Sequence, residues 1–258
     1  MKATRSKIRL AGLTIMLCLS LLGCSNGANS PAEEADASPG NEPEVSEEAL
    51  ADARAEWDAR QQHIASVLQE KTRAELIEGS PTKGSPEAEV VLFKFSDFQC
   101  PYCAVASADM KTFMDDREDV LYVYKHFPLN SIHPEATPAA KATWAAQQQD
   151  QFWLYHDGLF ANQDRLGEDL YVELAEQIGL DVEQFDRDRN SDAAATAVEA
   201  DLQLAQDLQL GGTPTFLMND ILIPGGAPLE FFEEAAVRIR EYNAAQNAAS
   251  DEQAQPSE

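Results

Sequence analysis

Positive charge is scarce in this sequence. Its 258 residues contain 19 Lys and Arg against 45 Asp and Glu, which gives a formal net charge of −26. Nucleic acids and anionic lipid headgroups attract positive charge, so this balance argues against both as ligands of the protein surface. Solubility accounts for the acidity, and selection of basic substrates is the functional alternative. We expect no nucleic-acid partner.

Cysteine is also rare. Cys18 and Cys24 lie near the N-terminus, and a single Cys-x-x-Cys pair follows at Cys100. A tetrahedral zinc site usually takes four protein ligands, often from a second such pair or a His-x-x-x-His pair, and the sequence has neither. The histidines that could complete a metal site are His63, His126, His133 and His156. We therefore predict no metal and no other cofactor. A structural disulfide, half of a metal site and inert core thiols remain the alternatives to redox chemistry for the pair.

The Cys-x-x-Cys pair joins a strand pattern to a helix pattern. Residues 90–95 have the length and the Val and Phe content of a strand buried on both faces, and residues 104–114 have the apolar spacing of a helix. Cys100 therefore lies at a helix N-terminus, where unpaired N–H groups and the helix dipole lower the pKa of a thiol. We expect Cys100 to be the attacking thiolate and Cys103 to resolve the mixed disulfide. Pro101 suits the first helical position, because no hydrogen bond is lost there.

The N-terminus has the pattern of a secretory signal peptide. Residues 1–23 carry four basic side chains and then an apolar run at 10–22 that is too short to span a membrane. The run ends in Leu-Leu-Gly-Cys, which resembles the bacterial lipobox and implies lipid on Cys24; an unmodified Cys24 is the alternative. Only Cys100 and Cys103 then remain as thiols, in an oxidising compartment. We expect a lipid-anchored, periplasm-facing envelope protein, in the outer membrane if the host is Gram-negative.

Composition divides the rest of the chain. Residues 24–45 have no aromatic side chain and are predicted to be a disordered acidic tether. Ser46 then caps a helical segment at 46–78, which packs on its own domain or, alternatively, dimerises. The main domain is predicted at 79–244 and a disordered tail at 245–258. Within the main domain, residues 134–210 form a helical insertion of four or five helices, with breaks near Gly158, Gly167, Gly179 and Asn190.

The order of the elements predicts the fold. A second strand at 120–127 precedes the insertion, and Thr213-Pro214, a hairpin and a helix at 229–242 follow it. This order predicts an α/β, thioredoxin-like fold with an inserted α-helical subdomain. The sequence here resembles the DsbA-like family of exported thiol-disulfide oxidoreductases. The segments that carry the resemblance are 95–103 (FSDFQCPYC), 125–129 (KHFPL) with His133-Pro134, and 212–216 (GTPTF).

The resemblance implies that Pro214 is cis and that the Thr213 backbone lies beside Cys100, where it can pair with an extended substrate. It implies disulfide exchange with unfolded or misoxidised envelope proteins, an unidentified membrane redox partner for recycling, and a role in oxidative folding. The alternatives are a disulfide isomerase or reductase, or a copper- or zinc-binding module that uses the cysteine pair. Tyr102 replaces the His of the family's strong oxidant, so we expect a milder oxidant.

Lys94 departs from the pattern of the fold. Thioredoxin-fold proteins commonly have a buried carboxylate six residues before the first cysteine, beneath the second sulfur, and this chain has Lys94 there. Our hypothesis is that Lys94 replaces the carboxylate as a proton shuttle or thiolate stabiliser for Cys103. The alternative is that its stem packs while the amine reaches solvent or pairs with an acid. We expect His126 and His133 to be structural and His156 to lie on a helix surface.

Overall fold

The computed structural model describes residues 46–115 and 117–254. The predicted signal peptide at 1–23, the lipidation of Cys24 and the tether at 24–45 lie outside the described residues. Within the described ranges, the chain has no helix that is both long and apolar enough to cross a membrane.

Two helices open the described chain. Helix α1 (Glu47–Gln69) begins after Ser46, whose side chain accepts a hydrogen bond from the N–H of Ala49, as the sequence predicts. Residues 46–60 are exposed, and the helix reaches the core at the fully buried Ile64. The short helix α2 (Arg73–Ile77) follows and has a complete capping box. The C-terminal half of α1 therefore packs on the domain, while its N-terminal half projects from it.

Within the described residues, five strands form one sheet. They are β1 (Thr82–Lys83), β2 (Val90–Ser96), β3 (Val120–His126), β4 (Thr215–Met218) and β5 (Ile221–Pro224). Their order is β1-β3-β2-β4-β5; β2 and β3 are parallel, and the other neighbouring pairs are antiparallel. Every residue of β2 and β3 is buried, as expected for a parallel pair covered on both faces.

The turn between β4 and β5 uses Asn219 where hairpins of this length usually have Gly. Asn219 has a φ of 54°, in the left-handed region that Asn tolerates better than most residues. Its side-chain oxygen accepts a hydrogen bond from the N–H of Val91 at 2.8 Å, and its own N–H donates to the carbonyl of Val91 at 2.7 Å. Asn219 therefore supplies both the turn and a connection to the central strand.

Helices cover both faces of the sheet. Helix α3 (Pro101–Phe113) begins directly after the loop that follows β2. The insertion between β3 and β4 contains α4 (Ala136–Gln147), α5 (Phe152–Ala161), α6 (Glu168–Gln177), α7 (Val182–Arg189) and α8 (Asp192–Asp207). The last helix is α9 (Leu229–Ala254). Side chains of α1 and α8 pack on one face of the sheet, and side chains of α3 and α9 pack on the other.

Two predictions about the helices need correction. Gly158 lies inside α5, and the break comes after Ala161. A Cβ at Gly158 would lie 2.9 Å from a methyl carbon of Leu174, so this glycine serves the packing of α5 against α6. The final helix continues to Ala254, beyond its predicted end at 242 and into the predicted disordered tail. The Ala- and Gln-rich sequence after Tyr242 has high helix propensity, which accounts for this extension.

Candidate active site

Cys100 lies at the N-terminus of α3, on the loop that leaves the central strand β2. It is the N-cap residue, with extended backbone dihedrals, and Pro101 occupies the first turn of the helix. The N–H of Cys103 donates to the carbonyl oxygen of Cys100 at 3.0 Å, which closes the first turn. Both cysteines are free thiols in the structure. The sequence thus locates the pair correctly, because a buried strand and an apolar helix pattern flank it.

The surroundings of Cys100 stabilise its thiolate. A hydrogen bond with the Cys103 thiol is the main cause that lowers the pKa of Cys100, which reaches about 5 although burial opposes the shift. The Thr213 hydroxyl and backbone N–H groups at the start of α3 act in the same direction. The Tyr102 side chain is 74% exposed, so residue 102 contributes through its N–H and not through its ring. At neutral pH the thiolate form of Cys100 therefore predominates.

Cys103 has the opposite character. Its side chain is fully buried, and burial, followed by the hydrogen bond to Cys100, raises its pKa. The N–H of Asp97 lies 3.5 Å from its sulfur. Cys103 is therefore a neutral thiol beneath an anionic Cys100, and this asymmetry matches one attacking and one resolving sulfur.

The loop before β4 faces the first cysteine. The Thr213–Pro214 peptide bond is cis, as the resemblance implies. The thiol of Cys100 donates to the carbonyl oxygen of Thr213 at 3.3 Å, and the buried Thr213 hydroxyl has no hydrogen-bond partner while Cys100 is a thiol. Gly225 lies against this loop: a Cβ there would be 2.1 Å from the carbonyl oxygen of Pro214. The Gly225-Gly226 pair marks a chain break in the sequence, and its pattern does not reveal this contact.

Lys94 lies beside the backbone of the second cysteine. It is fully buried on β2, and its amine does not reach solvent. Nζ donates to the carbonyl oxygen of Cys103 at 3.3 Å and to Oγ of Ser107 at 2.5 Å. Burial lowers the pKa of Lys94 to about 8, while the charge of Cys103 opposes this shift. Lys94 is therefore able to give up its proton near neutral pH.

Asp97 fixes the loop that carries the pair. Its buried carboxylate accepts hydrogen bonds from the N–H groups of Gln99 at 2.7 Å and Leu129 at 2.9 Å, and Nδ1 of His133 lies 2.8 Å from Oδ2. His133 thus has the structural position expected from the sequence. Asp97 itself was missed, because nothing in its local pattern distinguishes it from a surface acid.

Gln163 fixes the same loop from the helical insertion. Its Nε2 donates to the carbonyl oxygens of Phe98 at 2.7 Å and Cys100 at 2.9 Å. The residue lies on a single 3₁₀ turn after α5. The insertion therefore supports the active-site loop directly, a contact between segments more than 60 residues apart that sequence patterns do not reveal.

A group of buried polar side chains fills the space behind the pair. His126 and His156 pack with the rings of Phe98 and Tyr124, at centroid distances of 5.2 to 6.2 Å. Burial lowers the pKa of each histidine to about 4. His156 was expected on a helix surface and is instead 3% exposed, because α5 turns that side toward the sheet. His126, expected to be structural, belongs to this interior.

No group of three or more His, Cys, Asp or Glu side chains that could hold a metal ion occurs among residues 46–115 and 117–254. The cysteine pair therefore has no further ligand of these types beside it within this part of the chain.

Sequence comparison connects the chain with larger membrane proteins. It is 36% identical over 137 residues to the Na(+)/H(+) antiporter NhaA 3 of Salinispora tropica, which covers 53% of this chain and 21% of the antiporter. It is 40% identical over 142 residues to the Na(+)/H(+) antiporter NhaA 1 of Mycobacterium sp. strain KMS, which covers 53% of this chain and 23% of the antiporter. The chain thus spans less than a quarter of the length of these relatives.

Solved structures resemble the fold over most of their own length. A thioredoxin-like oxidoreductase from Silicibacter pomeroyi superposes with a TM-score of 0.61 at 31% identity, covering 66% of this chain and 99% of that one. BdbD from Bacillus subtilis gives a TM-score of 0.56 at 27% identity, with coverages of 63% and 94%. The thiol-disulfide exchange protein α-DsbA2 from Wolbachia pipientis, at 20% identity, shares the fold with a TM-score of 0.63 and coverages of 72% and 98%.

The family assignment combines these likenesses with the geometry of the site. A sequence model of the DSBA-like thioredoxin domain matches residues 91–237, more than half of the chain. The matched region includes the central strands, the cysteine pair, the helical insertion and the cis-proline loop. The chain therefore belongs to the DSBA-like thioredoxin domain family, whose members are thiol-disulfide oxidoreductases.

Proposed function

We propose that this chain forms disulfides in exported proteins, with Cys100 as the exchanging sulfur and Cys103 as its internal partner. The difference between the two thiols supports the proposal most strongly: the pKa of Cys100 is lowered to about 5, and that of Cys103 is raised. A stabilised Cys100 thiolate favours the reduced pair, which makes the disulfide a better oxidant. The stabilisation comes from neighbouring hydrogen bonds, so it does not require a positive side chain at Tyr102.

The exchange proceeds through a mixed disulfide. A substrate thiolate attacks the Cys100 sulfur of the Cys100–Cys103 disulfide, forming a substrate–Cys100 bond and releasing Cys103 with the electron pair. A second substrate thiolate then attacks the substrate sulfur of the mixed disulfide. The substrate gains its disulfide, and Cys100 leaves as the stabilised thiolate, so the substrate loses two electrons and the pair gains them. A membrane redox partner of unidentified nature restores the disulfide.

Thr213 and Pro214 serve the proposed substrate site. The carbonyl oxygen of Thr213 lies 3.3 Å from the Cys100 sulfur, so a peptide bonded to Cys100 would run past this loop. An extended peptide has unpaired backbone groups that the loop backbone can bind, as an added strand does. Such recognition does not depend on the substrate's side chains, which suits clients of varied sequence.

In this proposal, Lys94 donates a proton to Cys103 and accepts it back. When Cys103 leaves as a thiolate, the Lys94 ammonium protonates it; in the reverse direction, the neutral amine accepts the proton of the thiol. A Lys94→Met variant keeps the volume and removes both functions. We expect it to slow closure of the Cys100–Cys103 disulfide about a hundredfold near pH 8, the lower end of general acid–base contributions. Alkylation of Cys100 by iodoacetamide is the control; equal closure rates in variant and wild type would refute this role.

Export and anchoring form part of the proposal. The signal pattern at 1–23 and Cys24 support a lipid-anchored protein that faces the periplasm, in the outer membrane if the host is Gram-negative. The matching segments of the two relatives belong to sodium/proton antiporters, which supports action next to a membrane. The clients would be unfolded or misoxidised envelope proteins.

An isomerase or reductase is the second candidate, favoured by the projecting half of α1. Residues 46–60 are exposed, with Leu50 at 57% and Trp57 at 39% exposure, and an isomerase that dimerises would use such a surface. This candidate predicts that the pair rests reduced and that a separate reductant maintains it.

Transfer of the disulfide to a reduced, unfolded client tests the proposed function. Cys18 and Cys24 are replaced by Ser throughout, so that only the active pair reacts. The oxidised chain should restore the activity of reduced ribonuclease A with one disulfide consumed per disulfide formed, whereas Cys100→Ser should not. Cys103→Ser, mixed instead with disulfide-scrambled ribonuclease A, should accumulate the mixed disulfide: the Cys100 thiolate attacks a client disulfide, one client sulfur leaves as a thiolate, and the product is detected by its mass. A chain that transfers no disulfide and traps no client would contradict the proposal.

A further inference from the structure

Cys103 exchanges a proton in each catalytic cycle, although its side chain is sealed from solvent. It is a thiol in the reduced pair and leaves as a thiolate when the disulfide opens. Its exposed fraction is 0%, so water does not reach the sulfur directly. The proton therefore needs a path through neighbouring polar groups.

The polar contacts beside Cys103 lead away from the sulfur along α3. Nζ of Lys94 donates to Oγ of Ser107 at 2.5 Å, and Oγ of Ser107 lies 2.9 Å from the carbonyl oxygen of Cys103, to which it donates. A hydroxyl proton rotates about its C–O bond, so Ser107 can turn it away from that carbonyl. Lys94 is fully buried, whereas Ser107 is half-buried. Ser107 therefore connects the interior with the outside of the helix.

Ser107 also lines a cavity between α3 and α5. The cavity has a volume of about 240 Å³, which is enough for several water molecules. His156 and Asp157 of α5 form part of its wall, and Nδ1 of His156 lies 2.8 Å from the Asp157 carboxylate. The Asp157 side chain is 48% exposed, so the cavity reaches solvent at this residue.

One of the charged groups that act on Lys94 also lines the cavity. Cys100, Cys103 and Asp109 of α3 act on the ammonium, and so does Asp157 of α5. His156 faces Lys94 from α5 as well and is neutral near pH 7, because burial lowers its pKa to about 4. Of these charged groups, Asp157 also lines the cavity. Lys83 and Lys111 also line the cavity and act on Asp157, but Asp157 is the acid in its wall that also attracts the Lys94 ammonium.

We propose that the cavity between α3 and α5 is the proton exit of the cysteine pair, with Ser107 passing the proton of Lys94 to cavity water beside Asp157. This inference rests on the proposed function, which assigns the Cys103 proton to Lys94. Before closure, the Lys94 ammonium passes its proton through Ser107 to cavity water. The neutral Lys94 amine then takes the Cys103 proton, and the Cys103 thiolate attacks the Cys100 sulfur of a mixed disulfide. The Cys100–Cys103 bond forms, and the outgoing thiolate leaves with the electron pair.

Closure of the disulfide after reaction with oxidised glutathione provides the test. Wild type and variants, all with Cys18 and Cys24 replaced by Ser, are mixed with excess oxidised glutathione and quenched with acid. Mass spectrometry separates the Cys100–glutathione intermediate from the closed disulfide. The rate of closure is measured from pH 6 to 9, and alkylation of Cys100 is measured in parallel. The rate of closure depends on proton loss from Cys103, whereas the rate of alkylation depends on the reactivity of Cys100.

Ser107→Ala is expected to slow closure about tenfold, below the range of a direct acid–base group because Ser107 only relays the proton. Ser107→Thr keeps the hydroxyl and should close at the wild-type rate. Imidazole buffer enters the cavity as a mobile proton acceptor and should restore the closure rate of Ser107→Ala.

Asp157→Asn should slow closure as well. Asp115→Asn is the matched control, because Asp115 lines the cavity without acting on Lys94. Cys100 alkylation should be the same in all four variants.

Any one of three results would contradict the proposed proton exit. The closure rate of Ser107→Ala could equal that of wild type, or imidazole could fail to raise a slow closure rate in Ser107→Ala. The third is that Asp115→Asn closes as slowly as Asp157→Asn. The proposed function fails in a different way. In that case the wild type itself would not react at Cys100 or would not close the intermediate, whatever residue occupies position 107.

Discussion

Among the groups that lower the pKa of Cys100, the Thr213 hydroxyl is the one that a substitution removes most cleanly. Valine has the shape of threonine, with a methyl group in place of the hydroxyl. The hydroxyl is buried and has no hydrogen-bond partner while Cys100 is a thiol, so its loss leaves no other group unpaired. Thr213→Val should therefore fold with unchanged or slightly increased stability while it loses a donor to the Cys100 thiolate.

The size of the effect follows from the strength of this hydrogen bond. Hydrogen bonds to charged groups contribute about 1.5–3 kcal/mol, and we take the lower end because sulfur is a weak acceptor. One pKa unit corresponds to about 1.4 kcal/mol, so the pKa of Cys100 should rise by about one unit from its value of about 5. The reduced pair loses the same stabilisation, which should lower the reduction potential by about 30 mV.

The assay is the pH dependence of Cys100 alkylation by iodoacetamide in the reduced chain. Its midpoint gives the pKa of Cys100 directly, and equilibration against glutathione gives the potential. Thr213→Ser keeps the hydroxyl and serves as the control, with a midpoint near that of wild type. A Thr213→Val midpoint within 0.3 units of wild type would refute this account, because the backbone and Cys103 alone would then hold the thiolate.

Further predictions concern stability. Burial lowers the pKa of His126 to about 4 from 6.5, so the unfolded chain binds more protons between these values and the free energy of unfolding falls as pH drops through this window. His126→Phe should flatten that decline in a Tm series from pH 7 to 4. Asp97→Ala removes the carboxylate that takes part in three hydrogen bonds and should cost about 2–4 kcal/mol in urea unfolding, where a loss below 1 kcal/mol would contradict the assigned role. The pKa of Cys100 is lowered, so the reduced chain should gain stability as pH rises from 5 to 9, and Cys100→Ser should abolish that gain.

The sequence predicts the centre of the site because local patterns determine it. A buried strand, the cysteine spacing and an apolar helix locate Cys100 and Cys103, and the structure places the Lys94 amine against the carbonyl oxygen of Cys103. The cis bond before Pro214 came from resemblance and not from the dipeptide, since most X-Pro bonds are trans.

The supports of the site depend on contacts that a linear pattern does not encode. Gln163 reaches the active-site loop from a separate helical insertion, and Asp97 has the sequence surroundings of an ordinary surface acid. His156 was misplaced because α5 is apolar on most sides, so its periodicity does not reveal which side faces the sheet. Gly158 was read as a helix break although it serves helix packing.

The reduction potential of the Cys100–Cys103 pair tests the central claim most directly. Thioredoxin combines a cysteine pKa near 7 with about −270 mV, and DsbA combines about 3.5 with about −120 mV. The pKa of Cys100, lowered to about 5, lies between these values and predicts a potential of about −180 mV, that of an oxidant milder than DsbA. Equilibration against glutathione with mass-spectrometric readout gives the value. A potential of about −250 mV or lower would contradict the oxidising role and favour a reductase.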